Sequence, residues 1–326
     1  MAEIVLGLGT SHSPQLSTPP EQWTLRADVD RRNPRLLWED GEYYNFEQLL
    51  EKVDRPEIAR EITPDVFQRR WQECQDGIAR VGEVLAEVNP DVVILLGDDQ
   101  EEVFKNDNMP AINVYWGETA LQKPREYRNN PAMDVASWAY GDKLRNAPVA
   151  SDLGRHIIES LIDEEYDVAH SRELPADKGI GHAWTFVFHR VMHDKHIPVV
   201  PIHINTYYPP NQPKVNRCYE LGQAVRHAVE SWQGNERVCV MSSGGLSHFV
   251  VLEEFDRKVV QAMQERDGDA LRNLPEKMFK SGTSETKSWI AMSAATEHLD
   301  TKFLSYVPCY RSEAGTGCGM AFGHWA

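Results

Sequence analysis

The chain has 326 residues, 41% of them hydrophobic, enough to bury a sizeable core as one large domain or two modest ones. Its 50 acidic residues outnumber 34 Lys and Arg, and the formal charge of -16 argues against nucleic acid or an anionic membrane surface as partner. No apolar run approaches the roughly 18 residues needed to span a bilayer. The opening MAEIVLGLG lacks a basic region and a cleavage site, and the 5 cysteines are scattered. Together these lead to the expectation of a cytoplasmic protein with reduced thiols.

In chain order, Ile4 to Leu8 read as an apolar strand that ends in Gly9-Thr10-Ser11-His12. Residues 15–62, rich in Pro, Asp, Arg and Trp, have no steady period and read as an irregular excursion with short helices, a lid or a dimer arm. Thr63-Pro64-Asp65 is a helix start, with Thr at the N-cap and Pro in the first turn. Phe67, Trp71, Cys74, Ile78, Val81 and Leu85 follow at helical spacing, and Pro90 closes the element. Val92 to Leu96 form a run of five apolar residues, expected to be a strand buried on both faces, which stops on Gly97, Asp98, Asp99 and Gln100.

A helix is predicted over 151–163, another after Gly181, a strand over Val199 to Ile204, and a helix carrying Leu221, Ala224, Val225, Ala228, Val229 and Trp232 on one face. A late strand, Val238 to Met241, runs into Gly244-Gly245-Leu246-Ser247-His248. Helices are predicted from Phe255 to Met263 and over 284–299, and the glycine-rich end of the chain reads equally well as pocket lining or as a terminal strand. No repeat or linker divides the chain. Alternating strands and helices predict an α/β fold over 1–326: a single large domain with a central mixed or largely parallel sheet flanked by helices.

Three strands end on polar residues at small-residue turns, and ligands in open α/β sheets collect beyond strand carboxyl ends. His12 and His248 are therefore site candidates, although Ser, Asp and Gly also end strands for local reasons. His182, at a predicted helix start, is a candidate proton carrier or ligand whose pKa the helix dipole would lower. His189, His193 and His196 read as a solvated basic face, since no Glu follows His189 as a zinc-binding HExxH would require. His203 points either into the site or into solvent. Dinucleotide, P-loop, CxxC and GxSxG signatures are missing from the sequence.

TSHSP, PDVVILLGDDQ, SSGGLSH and SGTSETKSW, in that order, resemble the motifs of the class III extradiol ring-cleaving dioxygenases of the protocatechuate 4,5-dioxygenase catalytic-subunit type. The branch most similar in form is that of gallate and 3-O-methylgallate dioxygenases. The resemblance implies a mononuclear non-haem Fe(II) held by two His and one carboxylate. By position, His12 and Glu285 are metal ligands and His248 is the acid/base that takes a phenolic proton. The implied substrates are O2 and a small catecholic aromatic acid of the gallate, 3-O-methylgallate or protocatechuate type, turned over by a homo-oligomer, with a homodimer as the default.

Two positions depart from the family. Asp98-Asp99-Gln100 stands where the relatives have Asn-Asp-His, so Gln100 binds the metal through its amide oxygen, or Asp99 or His182 fills that place. Lys178 replaces a histidine, and it or a neighbouring basic group would meet the substrate carboxylate while His182 takes over the lost contact. The other readings are the same scaffold with an altered metal site doing different metal chemistry, and a metal-free binding or partner subunit.

Overall fold

The computed structural model describes residues 1–125, 139–195 and 197–326. Strand β1 spans Glu3–Thr10, followed in the 15–62 segment by helix α1 (Trp23–Asp30), the small β2–β3 ribbon (Leu36–Leu37 and Tyr43–Tyr44), α2 (Phe46–Leu50) and α3 (Arg55–Glu61). The long α4 runs Pro64–Val88. Thr63 accepts a hydrogen bond from the Val66 amide at its start, and Asn89, with φ of 45°, ends it in the left-handed region one residue ahead of Pro90. β4 (Val92–Gly97), β5 (Ile112–Tyr115), the β6–β7 pair (Thr119–Gln122 and Arg145–Pro148), α5 (Ser151–Asp163), β8 (Ala169–Ser171) and α6 (His182–Phe186) follow. Then come β9 (Val199–Ile204), α7 (Val215–Ser231), β10 (Arg237–Ser243), β11 (His248–Val250), α8 (Glu253–Glu265), α9 (Gly268–Arg272), α10 (Thr286–Ala295), β12 (Thr301–Tyr310) and β13 (Thr316–Trp325).

Among the described residues, nine strands form one mixed sheet in the order β11-β13-β1-β10-β4-β9-β5-β8, with β12 on the other edge of β13. Its centre, β1-β10-β4-β9, is parallel throughout. Strands of this kind are covered on both faces, and β4 shows how. Val92, Ile94 and Leu96 pack into one apolar cluster with α5, α7 and α10, while Val93 and Leu95 pack into the other with α4 and α6. The side-chain period of two splits one apolar run between two cores. In β1 a register shift between Ile4 and Leu6 moves the chain from the first cluster to the second.

Helix α10 is buried all round, including Trp289. Its approach to α7 depends on Gly222, where a methyl group would run into the carbonyl oxygen of Ala291. Likewise a methyl on Gly9 would overlap the Trp289 ring, which donates its N–H to the Gly244 carbonyl at 2.7 Å. The helix expected over 284–299 is shorter: a tight turn covers Ser281–Glu285 and α10 ends at Ala295. The glycine-rich end of the chain is a strand. β13 carries β12 along one edge, and β11 and β1 along the other through 316–318 and 322–325.

The parallel centre fixes the location of the site. β1, β10, β4 and β9 all finish on the same edge, so the segments after Thr10, Ser243, Gly97 and Ile204 meet there. Among them are His12, His248, Gln100 and Tyr207, all of which line one cavity of about 380 Å³.

Candidate metal centre

The loop after β1 is held by the end of the chain: the Ser11 amide donates to the Ala321 carbonyl at 3.0 Å, and the Ala321 amide donates to Ser11 Oγ at 2.9 Å. This places His12 with its Nδ1 2.9 Å from Ser243 Oγ, whose hydroxyl donates to the Ala183 carbonyl at 2.7 Å. A hydroxyl has one proton, and the carbonyl takes it, so Nδ1 of His12 carries the N–H and Nε2 presents a lone pair. His248 is fixed in the same sense, Nδ1–H donating to the Leu246 carbonyl at 2.9 Å and Nε2 turned into the site. In His182 the anchor is Glu102, whose carboxylate accepts from Nδ1 at 2.7 Å and from the His182 amide at 3.1 Å. Three imidazoles are thus tied back through Nδ1 and converge through Nε2.

Between them sit carboxylates. The Nε2 atoms of His12 and His182 lie 3.2 Å apart, and Asp98 Oδ1 is 3.7 Å from His12 Nε2. Ligand atoms of His12, Asp98 and His182 all lie within 4.8 Å of one another. Glu285 Oε2 is 3.3 Å from His12 Nε2 and 3.4 Å from His248 Nε2, and it accepts the Gly245 amide at 2.9 Å.

Asp98 is 1% exposed and neither carboxylate oxygen has a hydrogen-bond partner among the described residues. Burial, and then the charge of Glu285, push its pKa well above the usual carboxylate range. Burial would raise Glu285 too, but His248 and His12 outweigh it and hold that carboxyl well below its ordinary value. A buried carboxylate without donors among the described residues, beside two convergent imidazole Nε2 atoms, is costly in protein alone and is what a divalent cation satisfies. Two nitrogens and carboxylate oxygens suit non-haem iron or another first-row metal, so these residues fit a bound metal.

Each candidate from the sequence can now be located. His12, His182, His248, Gln100 and Glu285 line the one cavity. Gln100 reaches Glu285, its amide nitrogen donating to Oε1 at 3.2 Å, while the imidazole pair is approached by Asp98. Asp99 turns away and caps the backbone amides of Glu102, Val103 and Phe104.

The expected lowering of the His182 pKa is reversed. Burial does lower it, but Glu102 outweighs burial and, with Asp98 and Glu285, lifts it to about 10. A five-residue helix contributes less than a carboxylate in direct contact. Lys178 lies outside the cavity's lining and borders a side cavity of about 150 Å³ with Lys123, Arg125 and Tyr140. Among the described residues, the Lys and Arg side chains lining the main cavity are Arg26, Arg125 and Arg311.

His203, expected to face site or solvent, does neither. It is 1% exposed, packs on Phe104 at 4.9 Å between ring centroids, and burial pushes its pKa down to about 3. His189 pairs with Asp194 at 3.4 Å away from the site, His193 is exposed, and His196 lies outside the described residues.

Sequence reasoning placed Asp98 at a polar strand end without giving it a ligand role, and did not single out Glu102. The signal for Asp98 was its position as the first acid beyond a buried strand. Glu102 had none, because its role depends on meeting residue 182.

Fold and site together define an α/β protein with a buried cluster of His and carboxylate side chains, able to hold a metal ion, at the carboxyl edge of its sheet. Residues 56–317 match the family described as the catalytic LigB subunit of aromatic ring-opening dioxygenase, and the chain belongs to that family, whose members are typically metal-dependent. Among named relatives, the 2,3-dihydroxyphenylpropionate/2,3-dihydroxicinnamic acid 1,2-dioxygenase of Comamonas testosteroni is 29% identical over 174 residues, 52% of this chain and 47% of that protein. The gallate dioxygenase of Pseudomonas putida is 36% identical over 100 residues, 30% of this chain and 28% of that one. The chain thus matches half or less of the length of these two relatives. A crystal structure of an uncharacterized protein from Escherichia coli K12 covers 98% of both chains at 12% identity, with a TM-score of 0.45. No helix among the described residues is long and apolar enough to cross a membrane.

Proposed function

We propose that this protein is an extradiol dioxygenase that opens the ring of a catecholic aromatic acid with O2, using Fe(II) held by His12, His182, Asp98 and Glu285. The observation that carries this reading is the pair of imidazole Nε2 atoms 3.2 Å apart beside the Asp98 carboxylate, which has no hydrogen-bond partner among the described residues. Family membership and relatives named as ring-cleaving dioxygenases support it. Bound at this cluster, Fe(II) supplies Lewis acidity toward the two catechol oxygens and electron transfer to O2.

The chain's own residues do the rest. His248, its Nδ1–H committed to Leu246, accepts a phenolic proton at Nε2 and returns it during ring opening. Glu102 orients His182, in the manner of a carboxylate that fixes a metal-binding imidazole. Gln100 and the Gly245 amide hold Glu285 in place, so the amide that replaces the family's histidine acts on a ligand instead of as one. The protein works in the cytoplasm as one catalytic domain, and as a homo-oligomer by analogy alone.

The departure at Gln100 favours one rival, the same scaffold doing other chemistry with a different metal. Metal-free protein loaded anaerobically with Fe(II), Mn(II) or Zn(II) and supplied with a panel of catechols in an oxygen electrode separates the two. One O2 consumed per catechol, with a ring-opened product in the Fe(II) form, is the expected result. Tight metal binding with no O2 uptake on any catechol would hand the site to the rival.

A further inference from the structure

β9 runs into Asn205-Thr206-Tyr207-Tyr208 at the sheet edge where Gly97, in register with His203, leads into Asp98. The buried Asn205 side chain closes this loop on itself. Its Oδ1 accepts from the Tyr208 amide at 2.9 Å, and its Nδ2 donates to the Tyr208 carbonyl at 2.6 Å and to Asn211 Oδ1 at 2.8 Å. Asn211 is held in turn, its Nδ2 donating to the Met109 carbonyl at 2.8 Å. The bracket fixes the backbone on either side of Tyr207, whose ring lies 5.5 Å from that of Tyr208 between centroids. Tyr207 lines the cavity that holds the His and carboxylate cluster.

Its hydroxyl belongs to the metal end of that cavity. Burial, then the charge of Glu285 and more weakly that of Asp98, push its pKa above the ordinary 10.0, against a hydrogen bond with Ser281 that lowers it. Tyr207 is therefore a neutral O–H donor at neutral pH. Tyr140, also in the cavity lining, already donates to Glu102.

Such a donor suits what the site must accept. Glu102 and Glu285 line the cavity and Asp98 stands beside His12, so a catechol that gives up a phenolic proton brings one more negative oxygen among acids. The N–H groups of Gln100 and Gly245 are directed to Glu285. A hydroxyl fixed in place stabilises a developing phenolate without adding charge or having to reorient.

We propose that Tyr207 is a further catalytic residue, whose hydroxyl donates to a ring oxygen of the catechol at the metal end and favours the deprotonated substrate. Tyr207 takes no proton itself, since the phenolic proton passes to His248. The inference rests on the catechol reading above and adds to it the group that offsets the charge of the bound diol.

The test uses 4-nitrocatechol, whose visible absorption reports the ionisation of its hydroxyls. Anaerobic titration at a series of pH values into Fe(II)-loaded wild type, Tyr207→Phe and Tyr208→Phe gives an affinity and an apparent pKa without turnover. Tyr207→Phe should weaken binding about 10-fold and raise the apparent pKa of the bound probe by about 1. Tyr208→Phe, outside the cavity lining, should match wild type, and both variants should retain Fe(II) as wild type does. An unshifted pKa in Tyr207→Phe, an equal shift in Tyr208→Phe, or a wild type that does not bind the probe would overturn the assignment. Loss of Fe(II) from Tyr207→Phe would do so too, by making Tyr207 a part of the metal site. If Tyr207→Phe does not melt cooperatively, Tyr207→Met, a flexible filler without a hydroxyl, decides by the same shift. Failure of O2 uptake on every catechol with the shift intact sinks the dioxygenase reading and leaves Tyr207 in place, and ring opening without the shift does the reverse.

Discussion

Asp98→Asn keeps the shape of a buried side chain and removes its charge. In metal-free protein, neither oxygen of Asp98 has a donor to lose among the described residues, and the charge of Glu285 opposes its own. The amide should therefore leave metal-free stability within about 1 kcal/mol of wild type. Metal binding should respond in the opposite direction. A unit charge roughly 4 Å from a dication, at an effective dielectric of about 20, interacts by about 8 kcal/mol before desolvation.

Relief of the desolvation penalty and tightening of the remaining ligands return most of that, leaving a net loss of about 2–4 kcal/mol, or roughly 30- to 900-fold in Kd. Anaerobic titration of the metal-free variant with Fe(II), with Co(II) as a spectroscopic check, measures the affinity. Denaturant unfolding without metal measures the other half. Wild-type affinity in the variant would refute Asp98 as a metal neighbour. A metal-free loss of several kcal/mol would mean that the carboxylate has a stabilising partner within the protein.

Asp30→Asn strips the buried Arg311 guanidinium of its bidentate partner, and unfolding in denaturant should show a loss of about 3–5 kcal/mol. Gly9→Ala forces a methyl group into the Trp289 ring, four residues beyond Glu285. A loss of about 1–3 kcal/mol in thermal unfolding is expected, with weaker metal retention as the ring shifts. Asp256 accepts from Ser247 N, Ser247 Oγ and Tyr306 Oη behind His248, yet burial lifts its pKa from 3.8 to about 7. Its proton is held more tightly in the folded state. That contribution to stability is full below the unfolded pKa near 3.8 and is lost as pH rises through about 7. Wild type minus Asp256→Asn, measured as unfolding free energy from pH 4 to 8, should fall over that window, and a flat difference would contradict it.

The parts of this molecule that follow from local patterning were readable in the sequence. The continuous apolar run of β4, the capped stripe of α4 and the polar strand ends at His12, Asp98 and His248 together placed a site at one sheet edge. Glu285 was assigned through family resemblance, because nothing in its own neighbourhood distinguishes it from a surface acid. What stayed hidden depends on partners far along the chain. Asp30 meets Arg311 across 281 residues, and Glu102 meets His182 across 80, so neither composition nor spacing marks them. Lys178 was chosen because the relatives have a histidine there. Arg26 and Arg311, two of the cations that line the cavity, come from an aperiodic helix and a late hairpin, where periodicity carries no signal. The His182 pKa reversed for the same reason, since the helix start is visible in sequence and the opposing carboxylate is not.

The pairing of β13 with β1 has a consequence for how this protein acquires its metal. Ser11, next to His12, is hydrogen-bonded to Ala321, and Gly7 is in register with Trp325. A nascent chain still lacking these late residues has no template for the loop that aims the first imidazole, so an emerging polypeptide cannot assemble the cluster stepwise. Loading must follow the emergence of β13, and a lesion in that strand should read out as a metal-uptake defect although it touches none of the proposed ligands.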